Sequence, residues 1–522
     1  VIDEQRCQQL GSLLSSVPEE GIQRLARSLA SSEAGKMEDL RTPFYSSASR
    51  EDIASLLLHI VGEEEWEELE EIGKHERLNL GPLSLMYPYR EREKDVLKYG
   101  FQKFDADEVA LNQATETVRN LLPQASLRVA AFQAAYELMP KGTSLGLPWV
   151  TSDKSYAERY FRRATEIDSP EDIFPCVLYW RGQQAGPNQT KQRVVWGFDH
   201  AETILGATIL YPVLTALRRR DGFSAWLGDD WVDQPITSLL KAADGRRIIS
   251  MDYSGFDSSL SVHLLNKVDD ILASWFCEPG HSRVLLLGQI SNTVGLMVPF
   301  ANLVLDGRNG GMPSGSVLTN LRDTLANLVA GVYAGIRLRS PLIDYEVLGD
   351  DSVFLFQNDM DPNDLAGCVS ELGLESNPNK QFVSNRSAHY LQRWHSLDNL
   401  TDDVALGVRS PWRALPAIVG YERWRLGWNA YLDTVRWMSQ VNQLRHHPKF
   451  ESIVSDFLIP GDKILNSGIS IDEIFRRAGG AEVIVSKLGL AGFSHDVSPG
   501  EPNGLIVVKV IEAIRQSSKG SF

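Results

Sequence analysis

The stretch EVLGDDSVFLF, from Glu346 to Phe356, constrains this chain more than any other. Two carboxylates, Asp350 and Asp351, stand side by side between apolar runs. Val347-Leu348 and Val353-Phe354-Leu355-Phe356 read as two strands, with Gly349-Asp350 as the turn of a hairpin. An acidic turn is ordinary; the repulsion is not. Two carboxylates about 4 Å apart repel by roughly 4 kcal/mol at an effective dielectric near 20. A dianion between buried strands needs a countercharge, or one acid takes up a proton.

Two further stretches carry acids in a compatible setting. In IISMDYSGFDSSL (Ile248 to Leu260), Ile248, Ile249 and Met251 read as a buried strand ending at Asp252. Asp257 lies five residues on, an odd offset that points to the opposite face of a straight strand. Ser254-Gly255 supply a bend that brings both acids to one cleft. Taken singly, Asp257 reads equally as the cap of a helix beginning near Ser258, and Asp252 as a surface acid. In GGMPSGSVLTNLRDTLANL (Gly310 to Leu328), a Gly-rich loop leads into a helix whose Leu321, Leu325 and Leu328 face a core. Thr319, Asp323 and Asn327 follow at i, i+4 and i+8 and form one polar stripe, which on the plainer reading is solvent-exposed. Gly310, Gly311 and Gly315 allow close backbone approach to a ligand, and Ser314 offers a hydroxyl beside them. Hard divalent cations take oxygen ligands, so Asp252, Asp350 and Asp351 could hold two Mg²⁺ ions, with Mn²⁺ as a substitute. Two ions roughly 3.5–4 Å apart stabilise the attacking and leaving oxygens of an in-line phosphoryl displacement.

In this order and at these separations, Asp-x4-Asp, Ser-Gly-x3-Thr and Gly-Asp-Asp resemble motifs A, B and C of viral RNA-dependent RNA polymerases. The wording MDYSGFD, GMPSGSVLTN and LGDD most resembles picobirnavirus polymerases, then those of partitiviruses. The resemblance covers about residues 141–395. It implies an α+β right-hand polymerase, with an antiparallel palm sheet flanked by helices and helical N- and C-terminal regions. The boundaries expected are 1–140 for a helical region bridging fingers and thumb, and 141–247 for fingers. The palm is expected over 248–400, with a fingers insertion near 280–310, and the thumb and C-terminal segment over 401–522.

The resemblance also implies roles. Asp252 and Asp350 match the catalytic metal ligands, with Asp351 as an accessory acid. Asp257 matches the acid that senses the ribose 2′-hydroxyl. Ser314 and Gly315 match the mobile loop beside the nucleotide, and Thr319 its supporting helix. Many positive-strand polymerases carry Asn where this chain has Asp323, so Asp257, Asp323 and Asn327 share ribose selection in a division left open. QTKQRVVWGFD (Gln189 to Asp199) resembles motif F, with Lys191 and Arg193 on one face of a strand to meet triphosphate charge. TSLGLP resembles motif G, placing Ser144, Gly146 and Pro148 along the template backbone. Lys380 in NPNKQF matches the motif D lysine, a general acid toward pyrophosphate. HYLQRWH (His389 to His395) alternates as a single strand and resembles motif E. The expected partners are template and product RNA, nucleoside triphosphates and a viral capsid protein. The expected setting is a monomer in the virion interior and host cytoplasm.

The formal net charge of −16 speaks against non-specific coating of nucleic acid, but not against a local basic channel. Residues 1–75 carry 16 acids against 7 Lys/Arg, and residues 381–450 carry 9 Lys/Arg against 5 acids. In EEEWEELEEIG, Trp66, Leu69 and Ile72 share a helix face. Trp424, Trp428 and Trp437 are expected in a helical core. Cys7, Cys176, Cys277 and Cys368 have no metal-ligand spacing and read as free thiols. No apolar run reads as long enough to span a bilayer, and no membrane partner is expected. Two other readings stay open: a reverse transcriptase-like polymerase, and a non-catalytic RNA-packaging or capsid-associated protein.

Overall fold

Alternating apolar residues and a glycine that tolerates positive φ make the central hairpin. Leu342–Leu348 and Asp351–Phe356 pair antiparallel around Gly349, which sits at φ +62°. The computed structural model describes residues 14–100, 102–139, 144–299, 304–305, 308, 310–424, 427–488 and 505–519. Among these the chain first runs through helices α1 (Glu19–Ala34), α2 (Arg50–Val61), α3 (Glu67–Arg77), α4 (Tyr89–Leu97), α5 (Glu108–Arg119), α6 (Phe132–Leu138) and α7 (Ala157–Ala164). Strands β1 (Cys176–Gln184) and β2 (Thr190–Gly197) form a hairpin, followed by α8 (His200–Leu217) and α9 (Asp229–Ala242). Then come β3 (Ile248–Met251), the single turn α10 (Phe256–Ser259), α11 (Val262–Trp275) and α12 (Gly280–Thr293). Short strands β4 (Leu296–Met297) and β5 (Val304–Leu305) precede α13 (Thr319–Arg337) and the hairpin β6–β7. After α14 (Pro362–Glu371) lie β8 (Phe382–Ser384), β9 (Ser387–Tyr390) and β10 (Arg393–Ser396), and the C-terminal region is helical, including α15 (Pro411–Val419) and α16 (Ala430–Asn442).

The sheet that matters for function has the order β6-β7-β3-β8, every neighbouring pair antiparallel. One face of it packs on α13, where Leu321, Leu325 and Leu328 are buried with Phe354, Phe356 and Ile249. This antiparallel sheet flanked by helices is the expected α+β layout. A second sheet, β2-β1-β4-β5, is mixed, because β1 and β4 run parallel. Trp66 and Ile72 pack beside buried Leu69 against Trp394 and Val408, as their spacing implies.

Several expectations need correcting. His389–His395 is not one strand: the chain turns at Leu391 and Gln392, both at positive φ, and β9 pairs with β10. Trp437 is buried and Trp428 partly buried in the C-terminal core, but Trp424 is 61% exposed. Helix α8 has the length and composition to cross a membrane, which contradicts the reading that no segment does. It is mostly buried within the protein: Leu205, Ile209, Val213 and Leu217 join one core, and Ala201, Ile204 and Ala207 another. Cys176, Cys277 and Cys368 are free, while Cys7 and Thr143 lie outside the described residues.

Candidate active site

The register of β3 against β7 sets Met251 opposite Ser352. Asp252 and Asp351 are the next residues on each strand, so both stand at one end of the sheet, beside the turn that carries Asp350. That turn is fixed from beneath. The Gly349 N–H donates to Thr324 Oγ1 at 2.7 Å, and Asn327 Nδ2 donates to the Gly349 carbonyl at 3.0 Å. Asn327 Oδ1 accepts from the Tyr253 hydroxyl and from Ser352 Oγ, each at 3.2 Å. One buried amide thus ties the strand end of Asp252 to the turn of Asp350. The notion of an exposed polar stripe on α13 is wrong below its first turn: Thr319 is partly buried, with Oγ1 donating to the Pro313 carbonyl at 3.2 Å, while Asp323 and Asn327 are buried.

The acids feel one another. Asp252 reaches solvent, but partial desolvation in the cleft raises its pKa, as does Asp350, while Lys380 and Lys191 oppose the shift. Burial, then Asp350 and Asp252, push Asp351 up to about 7 against Arg413 and Arg193. Three carboxylates at one sheet end, two with raised pKa, are an all-oxygen donor set that a hard divalent cation would relieve. A different trio, Asp230, Asp233 and His446, brings its ligand atoms within 4.8 Å of one another among the described residues. Asp230 is already paired with Arg445, and Asp233 with Arg393, so guanidinium groups hold those charges.

Cations face the acids from β2. Lys191 and Arg193 are exposed and alternate with buried Thr190 and Gln192, which places them on one face of the strand. Arg181 on β1 lies directly opposite Arg193, with its guanidinium 4.0 Å from Glu422. Although Lys191 reaches solvent, the protein packed around its stem partly desolvates it, and this with the repulsion of Arg193 lowers its pKa, Asp252 acting the other way. Lys380 ends the 3₁₀ turn Pro378–Lys380 and lies close enough to Asp252 and Lys191 to influence both.

Asp257 does not cap a helix starting near Ser258. Gly255, at φ +61°, turns the chain, and α10 already begins at Phe256. The cap ahead of α11 is Ser261, whose Oγ accepts from the Leu264 N–H at 3.2 Å. Asp257 instead lies beside Asp323 on α13, near enough that the two carboxyls influence each other's charge. The Asp257 carbonyl accepts from the Met312 N–H at 2.6 Å, joining this turn to the Gly-rich loop. That loop is stitched to β2 and α8 as well. Ser314 Oγ donates to the Val194 carbonyl at 3.2 Å, Ser316 Oγ donates to Glu202 Oε1 on α8 at 2.7 Å, and a Cβ at Gly315 would run into the Trp196 carbonyl.

Of the described motif G residues, only Ser144 is exposed. Gly146 and Pro148 are buried, because Gly146 lies against the Phe198 backbone and the Pro148 carbonyl against Gly21 of α1. They shape the loop rather than offer a surface. Sequence reasoning missed Tyr99. It is buried in the 3₁₀ turn Lys98–Gly100 and lies near Ser314, Asp257 and Asp323. Nothing local marks it, since its partners come from loops far along the chain. Arg413 on α15, close to Asp351 and Arg193, was visible only as part of a basic region.

A family model described as viral RNA-dependent RNA polymerase matches residues 83–415. A "Potential RNA-dependent RNA polymerase" of human picobirnavirus (strain Human/Thailand/Hy005102/-) is 29% identical over 471 residues, covering 86% of each chain. An "RNA-directed RNA polymerase" of Cryptosporidium parvum virus 1 (strain KSU-1) is 27% identical over 281 residues, 49% of this chain and 51% of the other. The crystal structure of the RNA-dependent RNA polymerase of a human picobirnavirus superposes with a TM-score of 0.79 at 27% identity, covering 93% of this chain and 96% of that one.

Proposed function

The chain belongs to the viral RNA-dependent RNA polymerase family and is an RNA-directed RNA polymerase; on that premise we propose that it copies a double-stranded RNA genome by metal-assisted nucleotidyl transfer. The observation that carries the reading is the meeting of Asp252, Asp350 and Asp351 at one sheet end, opposite Lys191, Arg193 and Lys380. In the reaction, a primer 3′-hydroxyl attacks the α-phosphate of a template-paired nucleoside triphosphate, and pyrophosphate leaves. When held by Asp252, Asp350 and Asp351, divalent ions such as Mg²⁺ or Mn²⁺ supply positive charge for the phosphoryl oxygens. Lys191 and Arg193 bind the triphosphate, and Arg193 can do so with two parallel hydrogen bonds. Lys380 donates a proton to the leaving pyrophosphate. Asp257 accepts a hydrogen bond from the ribose 2′-hydroxyl, and Ser314 and Gly315 border the nucleotide on a loop that Thr319 supports. Asn327 acts through the turn it holds rather than by touching nucleotide, and Ser144 meets the template backbone.

Labelled nucleotide incorporation on an RNA template, with ribo- or deoxyribonucleotides, tests this assignment. The wild type incorporates ribonucleotides in a template-dependent, divalent-ion-dependent way. Asp350→Asn, which keeps the size of the side chain, lowers incorporation by about a hundredfold to a thousandfold, the range of lost electrostatic catalysis. Near-normal synthesis by that variant would remove Asp350 from the metal-binding role, and a preference for deoxyribonucleotides would favour a reverse transcriptase.

A further inference from the structure

One exposed amide stands beside the turn that carries Asp350. Thr324 Oγ1, which accepts from the Gly349 N–H, also donates to the Asn320 carbonyl at 2.6 Å. A single hydroxyl thus joins the first turn of α13 to the β6–β7 turn. A Cβ at Gly349 would lie 3.2 Å from Asn320 Nδ2. The Asn320 side chain is exposed, yet its orientation is set. Its Oδ1 accepts from Trp226 Nε1 at 3.1 Å. An indole N–H can only donate, so it takes the amide oxygen and leaves the NH₂ pointing away from Trp226.

Trp226 is itself anchored. Its ring stacks on buried Phe223, 4° from parallel, with centroids 5.5 Å apart. Its 3₁₀ turn, Ser224–Leu227, is tied to β6: Glu346 Oε2 accepts from the Ser224 N–H at 3.2 Å and from Ser224 Oγ at 2.7 Å. The Val347 N–H donates to the Gly222 carbonyl at 3.0 Å, just ahead of that turn. A solvated side chain needs no such support, and ordering it costs entropy that a ligand contact would offset.

The place narrows the ligand. Asp252 and Asp351 belong to the ends of β3 and β7, whereas Trp226 and Asn320 stand on the β6 side of the turn. A nucleotide held at the acids pairs with a template base, and the template strand lies across that pair from the growing strand. A polymerase copies every sequence, so a fixed donor here meets a group that all template nucleotides share. A neutral amide brings no charge to a phosphate, but it suits a hydroxyl, and the 2′-hydroxyl is the group that separates RNA from DNA. We propose that Asn320, oriented by Trp226, donates a hydrogen bond to a template 2′-hydroxyl beside the catalytic turn and so favours RNA over DNA as template. Trp226 is a positioning residue that acts through Asn320. The inference rests on Asp350 marking the catalytic turn, which Asp350→Asn tests separately.

The experiment uses the full chain, ribonucleotides, and RNA templates carrying a single 2′-deoxyribose at the templating nucleotide or at either neighbour. The ratio of kcat/KM on all-RNA template to kcat/KM on each substituted template is read on one enzyme preparation, so partial loss of folded protein cancels. The wild type gives a ratio of about three to ten at one of these positions, the range of one lost hydrogen bond. Asn320→Ala brings that ratio to within about twofold of one, because the partner of the hydroxyl is already gone. Trp226→Phe keeps the stacked ring and removes the N–H, so its ratio falls between those two. A merely structural Trp226 would instead lower activity on every template alike and leave the ratio at the wild-type value, which would overturn its positioning role. A wild-type ratio near one at all three positions would sink the proposal without any variant. If Asn320→Ala keeps the wild-type ratio, the amide meets a phosphate, a base edge or nothing, and the proposal fails.

Discussion

Asn327 shows how much of the site rests on single side chains that never meet substrate. Its amide joins the Gly349 carbonyl, the Tyr253 hydroxyl and Ser352 Oγ, and it has no solvent exposure. Asn327→Leu leaves those three groups buried without their partner. Each unsatisfied group costs about 1–3 kcal/mol, so thermal denaturation should show a loss of several kcal/mol. The disturbed object is the spacing of Asp252 and Asp350, not the nucleotide pocket, so kcat should fall at least about tenfold with KM for nucleotide nearly unchanged. A variant that raised KM alone would place Asn327 against nucleotide. The sequence reveals that Asn327 shares a stripe with Thr319 and Asp323, since helical spacing alone dictates it. Whether that stripe meets water or the β6–β7 turn depends on sheet register against a helix more than twenty residues away, which no local pattern encodes.

At the scale of elements, the Gly-rich loop is set by what it leans on. Glu202, in the first turn of α8, accepts the Ser316 hydroxyl, and burial raises the Glu202 pKa from its ordinary 4.5 to about 7. A carboxyl with a raised folded pKa stabilises the fold fully below the unfolded pKa. That contribution is lost as pH rises through the folded pKa, because the unfolded chain releases its proton earlier. The wild type should therefore lose on the order of 3 kcal/mol from this group between about pH 4.5 and 7. Glu202→Gln, which still accepts from Ser316, should escape that loss. Its melting temperature should match the wild type near pH 4.5 and exceed it by a margin that grows to pH 7 and then levels off. A constant offset across that window would show that Glu202 does not change protonation on unfolding. The glycines of the loop and the helix that follows it are legible from composition and period. The loop's attachments to β2 and α8 are not, because Val194, Trp196 and Glu202 lie over a hundred residues earlier in ordinary apolar surroundings.

At the scale of the whole molecule, the catalytic cleft is held by a segment that contributes little to its chemistry. Helix α1 packs through Leu25 and Leu29 on Val177 of β1, on the side of the cleft that bears Lys191 and Arg193. The chain then crosses to the C-terminal helices, where the Thr42 N–H donates to the Val419 carbonyl at 3.1 Å and the Tyr421 N–H to the Leu40 carbonyl at 2.8 Å. Phe44, Ile53, Leu57 and Val61 are buried there with Trp412, next to the Arg413 that faces the acids. The spacing of Trp66, Leu69 and Ile72 foretold an amphipathic helix in the first 75 residues, but not that another part of this stretch belongs to the core of the C-terminal region. Phe44 has no solvent exposure, with ring centroids 5.0 Å from Trp437 and 5.2 Å from Phe457. Phe44→Ala should cost about 3–5 kcal/mol, through lost transfer free energy and the cavity left behind. If residues 40–61, a strap laid over the C-terminal helices, form one cooperative unit with those helices, amide exchange in this variant should quicken together in residues 40–61 and 411–480, while β3, β6 and β7 stay protected. Faster exchange confined to residues 40–61 would show that the strap merely rests on the C-terminal helices.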